Sequence, residues 1–184
     1  LLGVALSAVA VWLTAVRNRW CWPIGLASVL VYAWIFAGAR LYSDALLQAC
    51  FAFMQVFGWW RWRAAPQQAG RPRLRRPTPL DIGLPLLLGA AGALALGSFM
   101  THTDAALPWL DAALTAFSLV AQYWMARLIR ANWLLWIAVD VIYVGVYLSR
   151  SLPLTAALYA GFVVLAVLGW RRWAAEPAPA TQPA

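Results

Sequence analysis

The sequence has no lysine, one histidine, two cysteines and six acidic residues in 184 positions. Each scarcity closes off a class of protein. Charged residues make up 11% of the chain, against about 25% in soluble domains. That leaves too little polar surface to cover a water-soluble fold. There is no G-x-x-x-x-G-K-[ST] phosphate loop and no G-x-S-x-G nucleophile elbow. Neither ATP hydrolysis nor nucleophilic catalysis is expected, and no cofactor. Cys21 and Cys50 lack CxxC spacing and lie in apolar sequence. They read as small buried residues, not as a disulfide or metal pair. His102 stands alone near Asp104 and reads as solvated.

What the chain does have is apolar length. Hydrophobic residues make up 64% of it, and its mean hydropathy is +0.71. Stretches close to the roughly 20 residues that cross a bilayer recur along its whole length, so a cleaved signal peptide does not account for them. The expected fold class is an all-α membrane protein with seven transmembrane helices. The spans fall at about Leu1–Val16, Cys21–Ala39, Asp44–Trp62, Leu80–Met100, Trp109–Arg127, Ala131–Ser149 and Leu152–Trp170. The first is short, and the sequence starts without Met, as a trimmed span would. Connections are tight except for Arg63–Thr78, whose Arg, Pro and Gln content predicts a solvated loop. The Pro- and Ala-rich tail 174–184 is expected to be a disordered cytoplasmic extension.

The net charge of +8 suggests nucleic acid, but the positions of the charges argue against it. All basic residues are Arg. Under the seven-span reading Arg17, Arg19, Arg61, Arg63, Arg71, Arg73, Arg75, Arg76, Arg127, Arg130, Arg171 and Arg172 fall on one side. Only Arg40 and Arg150 fall on the other. That asymmetry is a positive-inside signal. It places the N-terminus of a multi-pass protein outside and its C-terminus in the cytoplasm. The partner it implies is the lipid bilayer.

The chain also repeats. Trp22–Trp62 aligns without gaps on Trp133–Trp173, an offset of 111, with 13 identities in 41 positions. Both copies end alike, Gly58-Trp59-Trp60-Arg61-Trp62 against Gly169-Trp170-Arg171-Arg172-Trp173. The copies lie four crossings apart and so run in the same direction. This predicts a 3+1+3 arrangement of two parallel three-helix repeats, about 1–62 and 109–173. A linker span at about 80–100 joins them within one transporter domain, 1–173. Parallel repeats with a site between the halves are a transporter architecture.

Polar residues inside spans are expensive and face a cavity or a partner. Here they form stripes at helical spacing. Span 5 carries Asp111, Thr115, Ser118 and Gln122, and span 3 carries Asp44, Gln48 and Gln55. Span 6 carries Trp133, Trp136, Asp140, Tyr143 and Tyr147. Span 2 adds Trp22, Ser28 and Tyr32, and span 7 adds Thr155 and Tyr159. Helix-to-helix hydrogen bonding explains single Gln, Ser or Thr residues, but it explains span 6 poorly. Asp140 is the one ionisable residue in the middle of a span, with no mid-span Arg to pair it. Aromatic residues share its face, and aromatic faces attract cations and stack on flat rings. The stripe reads as a pocket for a flat, cationic heteroaromatic ring. Of the 13 Trp, Trp20, Trp59, Trp60, Trp62, Trp109, Trp170 and Trp173 sit at span ends and fit an interfacial belt.

Several strings resemble the PnuC nicotinamide riboside transporter family. In the first half these are Trp20-Cys-Trp-Pro-Ile-Gly25, Leu41-Tyr-Ser-Asp44 with Gln48, and the Gly58–Trp62 ending. In the second half they are Asp111, Thr115 and Ser118, then Met125-Ala-Arg127, Asn132-Trp133-Leu-Leu-Trp136, and Leu158-Tyr159 before Gly169. The resemblance covers nearly the whole chain. It implies the 3+1+3 fold, a homotrimer, and facilitated diffusion of a vitamin that a cytoplasmic kinase then traps by phosphorylation. It places Trp133, Trp136, Gln48, Gln122, Thr115 and Tyr143 at the substrate. With the stripes, the candidate site adds Asp140, Tyr147, Ser118, Tyr32, Asp44 and Tyr159. The chain departs from the family pattern at Asp140, where nicotinamide riboside members carry Asn. Nicotinamide riboside and thiamine are both cationic at an aromatic ring and suit an Asp; neutral riboflavin suits it less. The other classes weighed are a sugar facilitator and a non-transporting membrane scaffold. An enzyme is not expected.

Overall fold

The computed structural model describes residues 2–38, 40, 42–103 and 106–175, with the side chains of residues 42–44 left out. The tail expected to be disordered, 174–184, lies almost wholly outside the described residues. Within them are seven helices: α1 Leu2–Ala15, α2 Cys21–Gly38, α3 Tyr42–Ala64, α4 Pro79–Met100, α5 Pro108–Ala126, α6 Asn132–Ser149 and α7 Pro153–Ala174. Local chemistry sets the starts. Thr78 and Asp81 form a reciprocal capping box ahead of Pro79, which satisfies two orphan N–H groups at once. Pro108 and Pro153 open α5 and α7, where a missing N–H costs nothing. Asn18 Oδ1 accepts from the Trp20 amide at 3.0 Å in the turn into α2.

Four helices, α2, α4, α6 and α7, are long and apolar enough to cross a membrane by length and composition. The other three fall short for physical reasons. α1 has 14 residues, about 21 Å at 1.5 Å per residue, and the amides and aspartates of α3 and α5 dilute their apolar character. Large apolar side chains stand outward all round the molecule, with Trp34 79%, Leu87 71% and Leu154 87% exposed. That surface suits lipid, and helices satisfy their backbone groups internally there.

Packing runs as a closed ring. α1 packs on α2, α2 on α3, α3 on α5, α5 on α6, α6 on α7, and α7 back on α1. α4 packs on α5, where Gly89 and Gly97 bring it close. A Cβ at Gly89 would lie 2.7 Å from Val120, and one at Gly97 would meet the Trp109 ring. Small residues permit such approach in membranes. The turns repeat as well. Arg17 (φ 53°) and Leu128 (φ 57°) are left-handed in the α1–α2 and α5–α6 turns. Arg40 (φ 60°) and Ser151 (φ 56°) are left-handed in the next turn of each half. Both pairs are separated by 111, the offset read in the sequence. Non-glycine residues adopt this conformation uncommonly, so the match reports shared backbone geometry.

Two expectations are corrected. The segment Arg63–Thr78 is not wholly a solvated loop. α3 continues to Ala64, and Gln67–Gln68 pairs with Arg71–Pro72 across Ala69 and Gly70, both at positive φ, the signature of a type I′ hairpin turn. Pro72 is buried, Leu74 packs against the core, and Arg17 Nη1 donates to Pro72 O at 2.9 Å. The Arg75 amide donates to Leu128 O at 3.0 Å. Apolar residues interleaved among the arginines thus tie the segment to both left-handed turns. The second correction concerns cysteine. Cys21 is buried, but Cys50 is exposed on the outer surface of α3, and both are free.

Candidate functional site

Six helices surround a cavity of about 300 Å³, and no residue of α4 lines it. α1 brings Ser7, Val11 and Thr14 to the wall, α2 brings Trp22, Gly25, Val29 and Tyr32, and α3 brings Gln48, Phe51 and Gln55. α5 brings Gln122 and Met125, α6 Trp133, Trp136 and Asp140, and α7 Tyr159, Phe162 and Ala166. Each set recurs at three- and four-residue steps and therefore comes from one helical face. The lining holds three amides, several aromatic rings and one carboxylate, and no arginine or histidine. Asp140 is 7% exposed. The ion pairs between described residues, Arg75–Asp81 and Arg127–Asp81, lie elsewhere.

One end of the cavity is closed by tryptophan. Trp22 meets Trp62 edge-on, with centroids 5.4 Å apart at 83°. Trp133 meets Trp173 in the same way, at 5.5 Å and 86°. Trp62 and Trp173 touch at 6.3 Å, and Trp62 Nε1 donates to Met125 O at 3.1 Å. Glycines seat the rings. A Cβ on Gly58 would collide with Trp22, and one on Gly169 would stand 2.5 Å from Trp133. Trp62 and Trp173 are buried, not part of an interfacial belt as their span-end positions predict. Trp20, Trp60 and Trp109 are exposed as a belt requires. Trp22 Nε1 and Trp133 Nε1 are buried with no partner among the described residues.

Farther along α6 is a tyrosine stack. Tyr159 lies 4.8 Å from Tyr143 and 5.2 Å from Tyr147, centroid to centroid. Ser7 and Ser28 on α1 and α2 share a 2.8 Å hydrogen bond, and Ser28 also donates to Gly3 O.

Of the residues singled out in the sequence, Tyr32, Gln48, Gln122, Trp133, Trp136, Asp140 and Tyr159 come together in the wall. Tyr143 and Tyr147 are not lining residues; they back Tyr159. Thr115 and Ser118 are not lining residues either. α5 carries α4 on one side and neighbours on others, so its middle is used in packing, with Ser118 6% exposed. Only its arginine-rich end reaches the cavity. The Asp44 side chain lies outside the described residues. The α1 contribution and Cys21 carried no signal in the stripes, because α1 offers only isolated small polar residues.

A constant register underlies the wall. Eight pairs of lining residues are separated by 111: Val11/Gln122, Thr14/Met125, Trp22/Trp133, Gly25/Trp136, Val29/Asp140, Gln48/Tyr159, Phe51/Phe162 and Gln55/Ala166. Trp22/Trp133 and Phe51/Phe162 keep their residue type, whereas Trp136, the Asp140 carboxyl and the amides have no like counterpart.

Comparison with known proteins gives concordant matches. A family model described as nicotinamide mononucleotide transporter matches residues 1–175. The riboflavin/roseoflavin transporter RibM of Streptomyces davaonensis is 27% identical over 161 residues, covering 85% of this chain and 75% of RibM. The nicotinamide riboside transporter PnuC of Escherichia coli is 25% identical over 175 residues, covering 81% and 73%. The crystal structure of the vitamin B3 transporter PnuC matches with a TM-score of 0.75 at 23% identity, over 94% of this chain and 79% of that one. At that identity the structural match speaks for the fold.

Proposed function

The chain belongs to the nicotinamide mononucleotide transporter family, and on that premise we propose that it carries a cationic vitamin through the central cavity by facilitated diffusion. Nicotinamide riboside is the first candidate, thiamine the second. The observation that carries this reading is Asp140, a carboxylate buried in an aromatic wall with no basic residue in the lining. A charge is costly in such a place unless something compensates it. A cationic ring stacked against Trp133 or Trp136 supplies the counter-charge and uses the aromatic faces. Gln48, Gln122 and Gln55 then serve the polar groups of the substrate.

The proposal extends to architecture. The ring of helix contacts, the repeated left-handed turns and the paired wall support a 3+1+3 arrangement of parallel repeats, with α4 outside the transport unit. The arginine distribution supports an inner-membrane orientation with the N-terminus outside. Homotrimer assembly and trapping by a cytoplasmic kinase follow from the family resemblance.

Calorimetric binding on the purified protein tests the substrate. Nicotinamide riboside and thiamine are expected to bind and to compete, with nicotinamide riboside tighter. Riboflavin is the specific alternative that RibM raises. Binding of riboflavin alone would overturn the cationic reading.

A further inference from the structure

A second cleft lies at the arginine-rich end, outside the central cavity. It has a volume of about 660 Å³ and is bounded by the α1–α2 turn, the end of α3 and the hairpin. Arg17, Arg19, Arg63 and Arg71 line it, and no acidic residue among the described residues does. Arg17 is 3% exposed and anchors the hairpin through Pro72 O. Burial, and then the neighbouring charge of Arg71, lower its pKa to about 10. Two indoles mark the depth of the cleft. Trp20, 57% exposed, packs on Trp59 at 5.8 Å, and the Arg63 guanidinium lies 5.5 Å over the Trp59 ring. Exposed tryptophans at helix ends sit at the level of lipid headgroups.

We propose that this cleft binds the phosphate of an anionic phospholipid, held by Arg19, Arg63 and Arg71 at the rim with Arg17 behind them. Guanidinium groups pair with phosphate through two parallel N–H donors, and basic pockets at a membrane face collect anionic headgroups. A lipid, in preference to free phosphate, is favoured because the exposed Trp20 indole, backed by Trp59, flanks the charges with an apolar surface at interface depth. An acyl chain can lie along that surface. This occupant is independent of the substrate of the central cavity.

Native mass spectrometry of the purified full chain tests it, with phosphatidylglycerol and phosphatidylcholine as probes. Wild-type protein is expected to retain phosphatidylglycerol preferentially. The double variant R19Q/R63Q should lower that preference by tenfold or more, at about fivefold per arginine. The control R171Q/R172Q removes the same charge from exposed positions and should leave the preference in place. Should the double variant fail to fold, R71Q, on the exposed hairpin, should still lower it about fivefold. Equal loss in test and control would reduce the effect to bulk charge and overturn the site. So would no loss in either. Displacement of the lipid by millimolar inorganic phosphate would reassign the cleft to a free anion and overturn the lipid proposal.

Discussion

Replacing Asp140 by Asn removes a charge and keeps the shape, which makes it the sharpest test of the substrate reading. The side chain is 7% exposed in the cavity wall, and neither ion pair between described residues involves it. No basic residue of the lining can take over as partner. If the ligand cation is the partner, the loss is that of a hydrogen bond to a charged group, about 1.5–3 kcal/mol. That weakens Kd for nicotinamide riboside and thiamine by about ten- to a hundredfold. Affinity for neutral riboflavin should not fall, so discrimination against it narrows. Calorimetric Kd values and thermal unfolding, measured on the same purified variant, separate the possibilities. Unchanged affinity for both cationic vitamins with the fold intact would refute the counter-charge role. A lower unfolding temperature with affinity retained would make Asp140 a helix-packing group instead.

Three further predictions concern packing, orientation and energetics. Gly169→Ala places a methyl group 2.5 Å from the Trp133 ring, and Gly58→Ala drives one into Trp22. Each should cost about 1–3 kcal/mol by overpacking, read as a lower unfolding temperature, whereas Gly145→Ala, with nothing within 4 Å, should be neutral. Equal stability of all three would mean that the tryptophans are loosely held. Single cysteines placed between Arg63 and Thr78 should be shielded from an impermeant reagent in intact cells, and labelling from outside would reverse the orientation. Proteoliposomes without ATP should equilibrate the vitamin across the membrane; flux that needs ATP would exclude facilitated diffusion.

The sequence made the helices legible because hydropathy and tight turns mark them directly. The α2 start at Cys21 and the α4 end at Met100 fall where expected, and α7 runs on to Ala174 because Arg171 and Arg172 stay helical while reaching solvent. The stripe through Trp133, Trp136 and Asp140 was legible because three- and four-residue steps define a face. What stayed hidden depends on distant contacts. Trp62 and Trp173 occupy the same span-end positions as Trp60, and only the partner ring decides which is buried. A usable signal did exist, since Trp22 with Gly58 and Trp133 with Gly169 recur in both copies at the same separation. The hairpin was masked by composition, because its arginines announce solvent while Pro72 and Leu74 make the contacts. Ser7 and Ser118 stand at matching positions, yet Ser7 lines the cavity and Ser118 does not. α4 and its packing on α5 break the equivalence, and no local pattern records that.

On the proposed reading of two parallel repeats, the paired wall lets a pseudo-symmetric frame hold a ligand that has no two-fold symmetry. Where both halves must do the same thing, the residues are the same. Trp22 and Trp133 close the arginine-rich end, each against a glycine and a partner indole. Where they face the cavity, bulk and charge have moved from one half to the other. Gly25 leaves space that the Gln55 amide fills, since a Cβ on Gly25 would lie within 2.9 Å of that amide. In the other half the matching positions are Trp136 and Ala166, so the large side chain comes from α6 and the small one from α7. Val29 is matched by Asp140, which puts the carboxyl group on one side alone, next to that indole on α6. The amides Gln48 and Gln55 stand on α3, opposite in the repeat to Tyr159 and Ala166. On the proposed reading the cationic ring turns toward α6 and its polar substituent toward α3. Divergence within the pairs, more than the frame itself, then sets which vitamin fits.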